Sequence, residues 1–325
     1  MKLSADAVDY ERFVYSIKGE IDGLSKGDII SFRKINFPWM DTEPAFNVIA
    51  EDGGFSYEGT DYHSQYFLMT YKPLSGEEVV SDREGLFVYI DNSGDVLIKG
   101  NAGNIYNCRI EGGVYDNKEP SPALSIMDAL QKVIYAPVEE LEAFYSSLDG
   151  AAKKSYYGII LRQEIDNISM LAPGNDAPFF ALNTMDGQQI TLNDYSGNYV
   201  LIYKFGLSHG ALMIDNEVAA FYENNKGKVK VIGLTDDINS IRQFYEKVSP
   251  SEKIEGRDLK PLLEGMVSHP WTYVEEKGDN VQIAMDYVIA GHPFFIFISP
   301  EGKMLARGFY DAFYKAREIL EESTE

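Results

Sequence analysis

Residues 206–211, Gly-Leu-Ser-His-Gly-Ala, lie between an apolar run, YVLIYKF (199–205), and an amphipathic stretch over about 211–225. That pattern predicts a strand, a turn and a helix. A side chain in such a turn sits beside the first unpaired N–H groups of the helix and the positive end of its dipole. A cysteine there would have a depressed pKa and attack as thiolate. None is present. Ser208 and His209 are the types that make a nucleophile and its base, but adjacent side chains seldom point at one another, and no third orienting group is evident. Ser208 reads better as the helix N-cap. The only cysteine, Cys108, lies in a distant strand-like segment and reads as a small apolar residue. A single cysteine makes neither an intrachain disulfide nor a cysteine-based zinc cluster.

The elements that must position this loop belong to a chain of 325 residues, long enough for two domains. Apolar residues at 45% and charged residues at 25% are ordinary for a globular protein, while aromatics at 13% suit a β-rich core. A net charge of −22 repels phosphate backbones and anionic membrane surfaces, so nucleic acid is discounted as a partner. No apolar run is long enough to span a bilayer, and no direct membrane insertion is expected.

Residues 9–116 alternate strand-like runs rich in aromatic and β-branched residues with Gly, Asp, Asn and Ser, and Asn92-Ser93-Gly94 reads as a hairpin turn. An antiparallel β-sandwich or open barrel is expected over 1–118. The pattern turns helical after Pro120 and Pro122, giving a helical linker over 119–170. From 171 to 325 the order is mixed. Asp186-Gly187 closes a hairpin, YVLIYKF and KVKVIGL (228–234) flank the 211–225 helix, and PFFIFIS and MLARGF form a last hairpin before a terminal helix over 311–322. The whole is an α+β chain of two domains, the second an α/β domain with a mixed sheet.

APGNDAPFFALNTMDGQQITLNDYSGNYVLIYKF and VIAGHPFFIFISPEGKMLARG resemble, in order and spacing, the TlpA/ResA-like thioredoxin-fold proteins, which border on the AhpC/TSA redoxins. The resemblance covers about 171–322. The first domain is similar to the β-rich domain that precedes such domains in exported bacterial lipoproteins, through YSIKGEIDGLSKGDIISF and GNIYNCRIEGGVYDN. In that family the helix after the first central strand begins with Cys-x-x-Cys. Here either Ser208-His209-Gly210-Ala211 or His209-Gly210-Ala211-Leu212 stands in its place. Thioredoxins proper also keep a buried carboxylate in the preceding strand, where this chain has Tyr203 or Ile202. The resemblance makes Pro293 a cis-proline and Gly291, His292, Pro293 and Phe294 a loop facing the motif, able to pair an extended peptide by strand addition.

The expectation is therefore a non-redox binding or scaffolding protein of the bacterial cell envelope, with no catalytic residue, no cofactor, and a peptide or protein ligand in the former active-site cleft. Export to the periplasm is implied by the resemblance alone, and a cytoplasmic setting is the alternative. A thiol-disulfide or peroxide-handling oxidoreductase is the second reading, and it needs a cysteine that the loop lacks. The third is a weak metal site on His209 and His292, with Met213 and His269 as extras; a closed site wants three or four ligands, so rim histidines are preferred. Oligomeric state has no signature.

Overall fold

The structure, a computed structural model, describes residues 11–36, 39–40, 43–74, 85–116 and 121–322. The expected break at Pro120 and the 118/119 boundary lie outside them. By contacts the chain divides into two compact units, Met1–Ile165 and Asp166–Glu325.

Among its described residues the first unit begins with nine strands: β1 (Phe13–Asp22), β2 (Ile29–Asn36), β3 (Trp39–Met40), β4 (Phe46–Ile49), β5 (Gly54–Asp61), β6 (Gln65–Lys72), β7 (Leu86–Ile90), β8 (Val96–Asn101) and β9 (Arg109–Glu111). They form one sheet in the order β5-β1-β8-β9 and another in the order β3-β2-β6-β7, with β4 also on β2. Ile17 and Ile21 of β1 and Ile98 of β8 meet Phe32 of β2, Met69 of β6 and Val88 of β7 in one buried core. Cys108 belongs to that core, and burial pushes its thiol pKa up.

Two expectations fail here. β1 and β8 pair parallel, Ile17 opposite Val96, so the first sheet is mixed rather than antiparallel. The chain builds the second sheet between these strands, and that excursion supplies the crossover a parallel pair requires. The turn at Asn92-Ser93-Gly94 closes no hairpin: it carries the chain from β7 in one sheet to β8 in the other. Ser93 N–H donates to Asp91 Oδ1 at 2.8 Å, so the turn chemistry is real, but a turn fixes a reversal and not a pairing partner. Helices α1 (Pro122–Lys132), α2 (Val138–Ser147), α3 (Gly150–Lys154) and α4 (Tyr156–Met170) follow. Ser121 caps the first, its Oγ accepting from Ala123 N–H, with Pro122 in the first turn where no N–H is needed.

The second unit holds a short hairpin, β10 (Ala181–Asn183) and β11 (Gln189–Thr191), closed at Asp186-Gly187. Then come β12 (Tyr199–Lys204), α5 (His209–Asn224), β13 (Val229–Thr235), α6 (Ile238–Lys247), the small pair β14 (Lys253–Ile254) and β15 (Arg257–Asp258), α7 (Leu259–Met266), β16 (Thr272–Glu275), α8 (Gln282–Asp286), β17 (Phe294–Ile298), β18 (Met304–Gly308) and α9 (Tyr310–Glu322). The main sheet runs β16-β13-β12-β17-β18. Its first three strands are parallel, and β17 and β18 are antiparallel to their neighbours. Tyr203, Phe205, Phe295 and Phe297 from the sheet pack with Val218 and Phe221 of α5 and Phe313 of α9. β17, FFIFI, is buried at every position, as a central strand covered on both faces must be. β12 is buried along its length too, yet it ends on a lysine, Lys204.

Candidate functional site: the cleft at the start of α5

The parallel strands β12, β13 and β16 end at one side of the sheet, and the turns that follow them carry the polar groups. Open α/β sheets place their ligand crevices at such carboxyl ends. Lys204 Nζ reaches both Asp236, just past β13, and Glu276, just past β16. Its side chain is only 5% exposed, against 19% for Glu276 and 66% for Asp236. A buried ammonium is tolerated only when paired, and here two carboxylates pair it.

The motif loop begins two residues later. Ser208 is the N-cap of α5, its Oγ accepting from Ala211 N–H at 3.2 Å. The same hydroxyl donates to the His292 carbonyl at 3.0 Å, which ties the loop to the opposite wall. The His292–Pro293 peptide bond is cis. Pro293 is buried and Phe294 fully so, while Gly291 is exposed with a φ of +70°.

Two glycines make room for this closure. A Cβ on Gly206 would sit 2.6 Å from both Cδ2 and Nε2 of His292, so the imidazole lies against the loop backbone. A Cβ on Gly210 would sit 2.3 Å from the Tyr310 hydroxyl and 3.0 Å from Pro293 Cδ. His292 Nδ1 is shut away from solvent and has no hydrogen-bond partner among the described residues. Burial holds the His292 pKa below the usual histidine value, opposed by Asp236 and by the residue's own carbonyl and reinforced by Lys204.

His209 goes elsewhere. Its Nε2 is 3.0 Å from Glu255 Oε1, and both side chains are more than half exposed. Glu255 has a φ of +47° and Gly256 one of +79°, the left-handed pair that a two-residue turn between β14 and β15 demands. The two histidines named as metal candidates thus have different partners, Glu255 for one and the Gly206 backbone for the other. Among the described residues no group of three or more His, Cys, Asp and Glu side chains is placed to hold a metal ion. Ala211 and Leu212 point into the core.

Beneath the loop lies a polar pair that sequence reasoning did not find. Asp215, on the second turn of α5, is 1% exposed. Its Oδ2 is 2.7 Å from His269 Nε2, and its Oδ1 has no partner among the described residues. Trp271 covers His269, with ring centroids 4.1 Å apart. Tyr273 Oη accepts from His269 N–H at 2.9 Å and donates to Met266 O at 3.1 Å, fixing the loop that carries the histidine. Tyr203 Oη donates to Ala211 O at 3.3 Å, and burial together with the nearby Asp215 carboxylate pushes its pKa well up. β12 thus sets a buried phenol, and α5 a buried carboxylate, under the motif loop.

This arrangement of sheet, helix and proline loop is thioredoxin-like. Among solved structures the chain is similar to the thioredoxin domain of a thiol-disulfide oxidoreductase from Bacteroides vulgatus, at 24% identity over 46% of this chain and 97% of that one, with a TM-score of 0.34. A thiol-disulfide oxidoreductase from Bacteroides fragilis matches at 21% identity over 45% of this chain and 99% of that one, TM-score 0.33. A thioredoxin-like protein from Aeropyrum pernix matches at 13% over 44% and 89%, TM-score 0.33. No protein-family model matches the chain, and no curated protein does.

The motif loop offers a hydroxyl already engaged twice, an outward imidazole, and no thiol. Beside the exposed His209–Glu255 pair the cleft also presents apolar groups outward. Leu207 at the loop tip is 41% exposed, Tyr310 38%, and Tyr314, one turn along α9, 48%.

Proposed function

We propose that the second unit is a non-redox binding domain whose former active-site cleft takes an extended peptide or protein segment. One observation carries this reading: in either register of the motif, starting at Ser208 or at His209, no thiol stands at the head of α5, and the Ser208 hydroxyl is bonded both to Ala211 N–H and to the His292 carbonyl. Dithiol exchange transfers a disulfide through a thiolate and needs a second thiol to resolve the mixed disulfide. The chain's single cysteine is Cys108, in the core of the other unit. The oxidoreductase names belong to the similar structures and do not supply the missing sulfur.

Binding is supported by two exposed apolar groups at the motif loop, Leu207 within it and Tyr310, whose hydroxyl lies at Gly210 close to Pro293. Apolar side chains grouped around a backbone edge suit strand addition, where main-chain bonds give affinity and side-chain contacts give selectivity. A setting in the cell envelope belongs to the same proposal and rests on the resemblance. No helix among the described residues is long and apolar enough to cross a membrane.

The test is selection of peptides from a random displayed library on the purified chain, followed by calorimetric titration. Selected peptides are expected to lose at least tenfold in affinity on Leu207→Asp and to keep it on Cys108→Ser. Peptides that bind the Leu207→Asp variant unchanged would place binding elsewhere and contradict the reading.

A further inference from the structure

We infer that the His292 imidazole is a pH-sensitive latch on this cleft, seated against Gly206 while neutral and released when protonated, freeing the motif loop as it leaves. The biological meaning of the latch rests on reading the cleft as a binding site. The motion itself needs no ligand.

The geometry carries it. The ring lies close enough to Gly206 that a single added carbon there would overlap Cδ2 and Nε2. Its Nδ1 is buried and unpartnered among the described residues. A neutral imidazole can leave one nitrogen as a bare acceptor, whereas an imidazolium must donate from both. Protonation in place would put a second N–H on a ring whose nearby acceptor, its own carbonyl, already takes the Ser208 hydroxyl, and a poorly paired buried charge is the more costly species. The residue is also mechanically joined to the loop. Its carbonyl accepts the Ser208 hydroxyl, and that hydroxyl caps α5, so departure of residue 292 disturbs the start of the helix.

The surrounding charges do not rescue the imidazolium. From β12, Lys204 repels it. Asp236 beyond β13 attracts it, but Asp236 is already drawn to Lys204, as is Glu276 beyond β16. α9 contributes Tyr310, whose pKa burial raises, so it stays neutral. His209 of the loop pairs outward with Glu255. Burial is the leading influence on His292, and the seated form binds its proton less tightly than a free histidine. The sign follows by linkage. The released ring titrates near the ordinary value of about 6.5 and the seated ring below it. The seated form is thus fully favoured above about pH 6.5, loses preference as pH falls from there to the lowered value, and loses no more beneath it.

Nuclear magnetic resonance of the isotopically labelled full chain, titrated from about pH 8 to about pH 5, reads this directly. The His292 ring signal, assigned by its loss in His292→Gln, is expected to titrate below the ordinary histidine midpoint. The Gly206 and Gly210 amide signals are expected to move with that same midpoint, and to stay flat in His292→Gln and His292→Phe. If one variant fails to fold, the other and the coincidence of midpoints in the wild type still decide. A His292 midpoint at or above the ordinary value, a ring that titrates while both glycines stay still, or a ring that remains neutral throughout would each overturn the latch. Glycine movement that persists in a folded variant would also overturn it and point to His209 and Glu255. Because no peptide is present, failure of the latch is distinguishable from failure of the binding reading.

Discussion

Removing Glu276 is expected to cost the second unit far more than removing Asp236, although both carboxylates touch the same lysine. Lys204 ends an otherwise apolar buried strand, and its ammonium is out of water. Truncating one partner of a buried ion pair typically costs about 3–5 kcal/mol, because an uncompensated charge is left behind. In Glu276→Gln the ammonium keeps Asp236, which is two-thirds exposed and screened by water. The cost should therefore fall to about 2–3 kcal/mol, below the full range. Asp236→Asn leaves the more buried Glu276 in place, and an exposed partner is worth about 0–1 kcal/mol. Lys204→Met combined with Glu276→Gln removes both buried charges and should return to within about 1 kcal/mol of wild type, since apolar replacement of a buried pair is often neutral. Urea unfolding read by Trp271 fluorescence measures this, with Trp39→Phe silencing the first unit's tryptophan. Trp271 is a local reporter, packed on His269. For a unit of this size the Glu276→Gln loss corresponds to a midpoint about 4–12 °C lower. Equal losses for Asp236→Asn and Glu276→Gln, or a double variant worse than Glu276→Gln alone, would refute the reasoning.

Ser208→Ala should destabilise by about 1 kcal/mol, the usual loss of an N-cap, and speed hydrogen exchange at the Ala211 amide; unchanged exchange would mean the cap does not hold in solution. Gly210→Ala should destabilise by about 1–3 kcal/mol through overlap with the Tyr310 hydroxyl, and Tyr310→Phe in the same chain should recover part of that, because only the oxygen lies inside 3 Å. Absence of any recovery in a thermal melt would show that Pro293, not Tyr310, sets the limit.

How far the chain could be read without its structure differs by residue. β12 and β17 were legible because uninterrupted apolar runs have few other uses. Ser208 was legible as a cap because the preference is local. The hairpin at Asp186-Gly187 was legible for the same reason, and the turn at Asn92-Ser93-Gly94 misled because its local chemistry is alike while its strands pair in different sheets. α7 was missed although Leu259, Leu262, Leu263 and Met266 carry helical spacing, because Pro261 interrupts the run; in a first turn a proline is tolerated. The polar floor of the cleft was not readable. Lys204 finds Asp236 and Glu276 at separations of 32 and 72 residues, and Asp215 finds His269 at 54. Only the register of β12, β13 and β16 brings the first set together. His209 was weighed as a metal partner of His292 across the cleft, but its place on α5 turns it to Glu255, a partner supplied by the hairpin that sequence reading left undescribed.

The central claim is that a thioredoxin-like cleft here works without sulfur. The most direct measurement is reduction of insulin disulfides by the purified chain, supplied with a dithiol reductant, in the wild type and in Cys108→Ser. The expected result is no acceleration over the reductant alone in either protein. Turnover that survives in Cys108→Ser would contradict the claim.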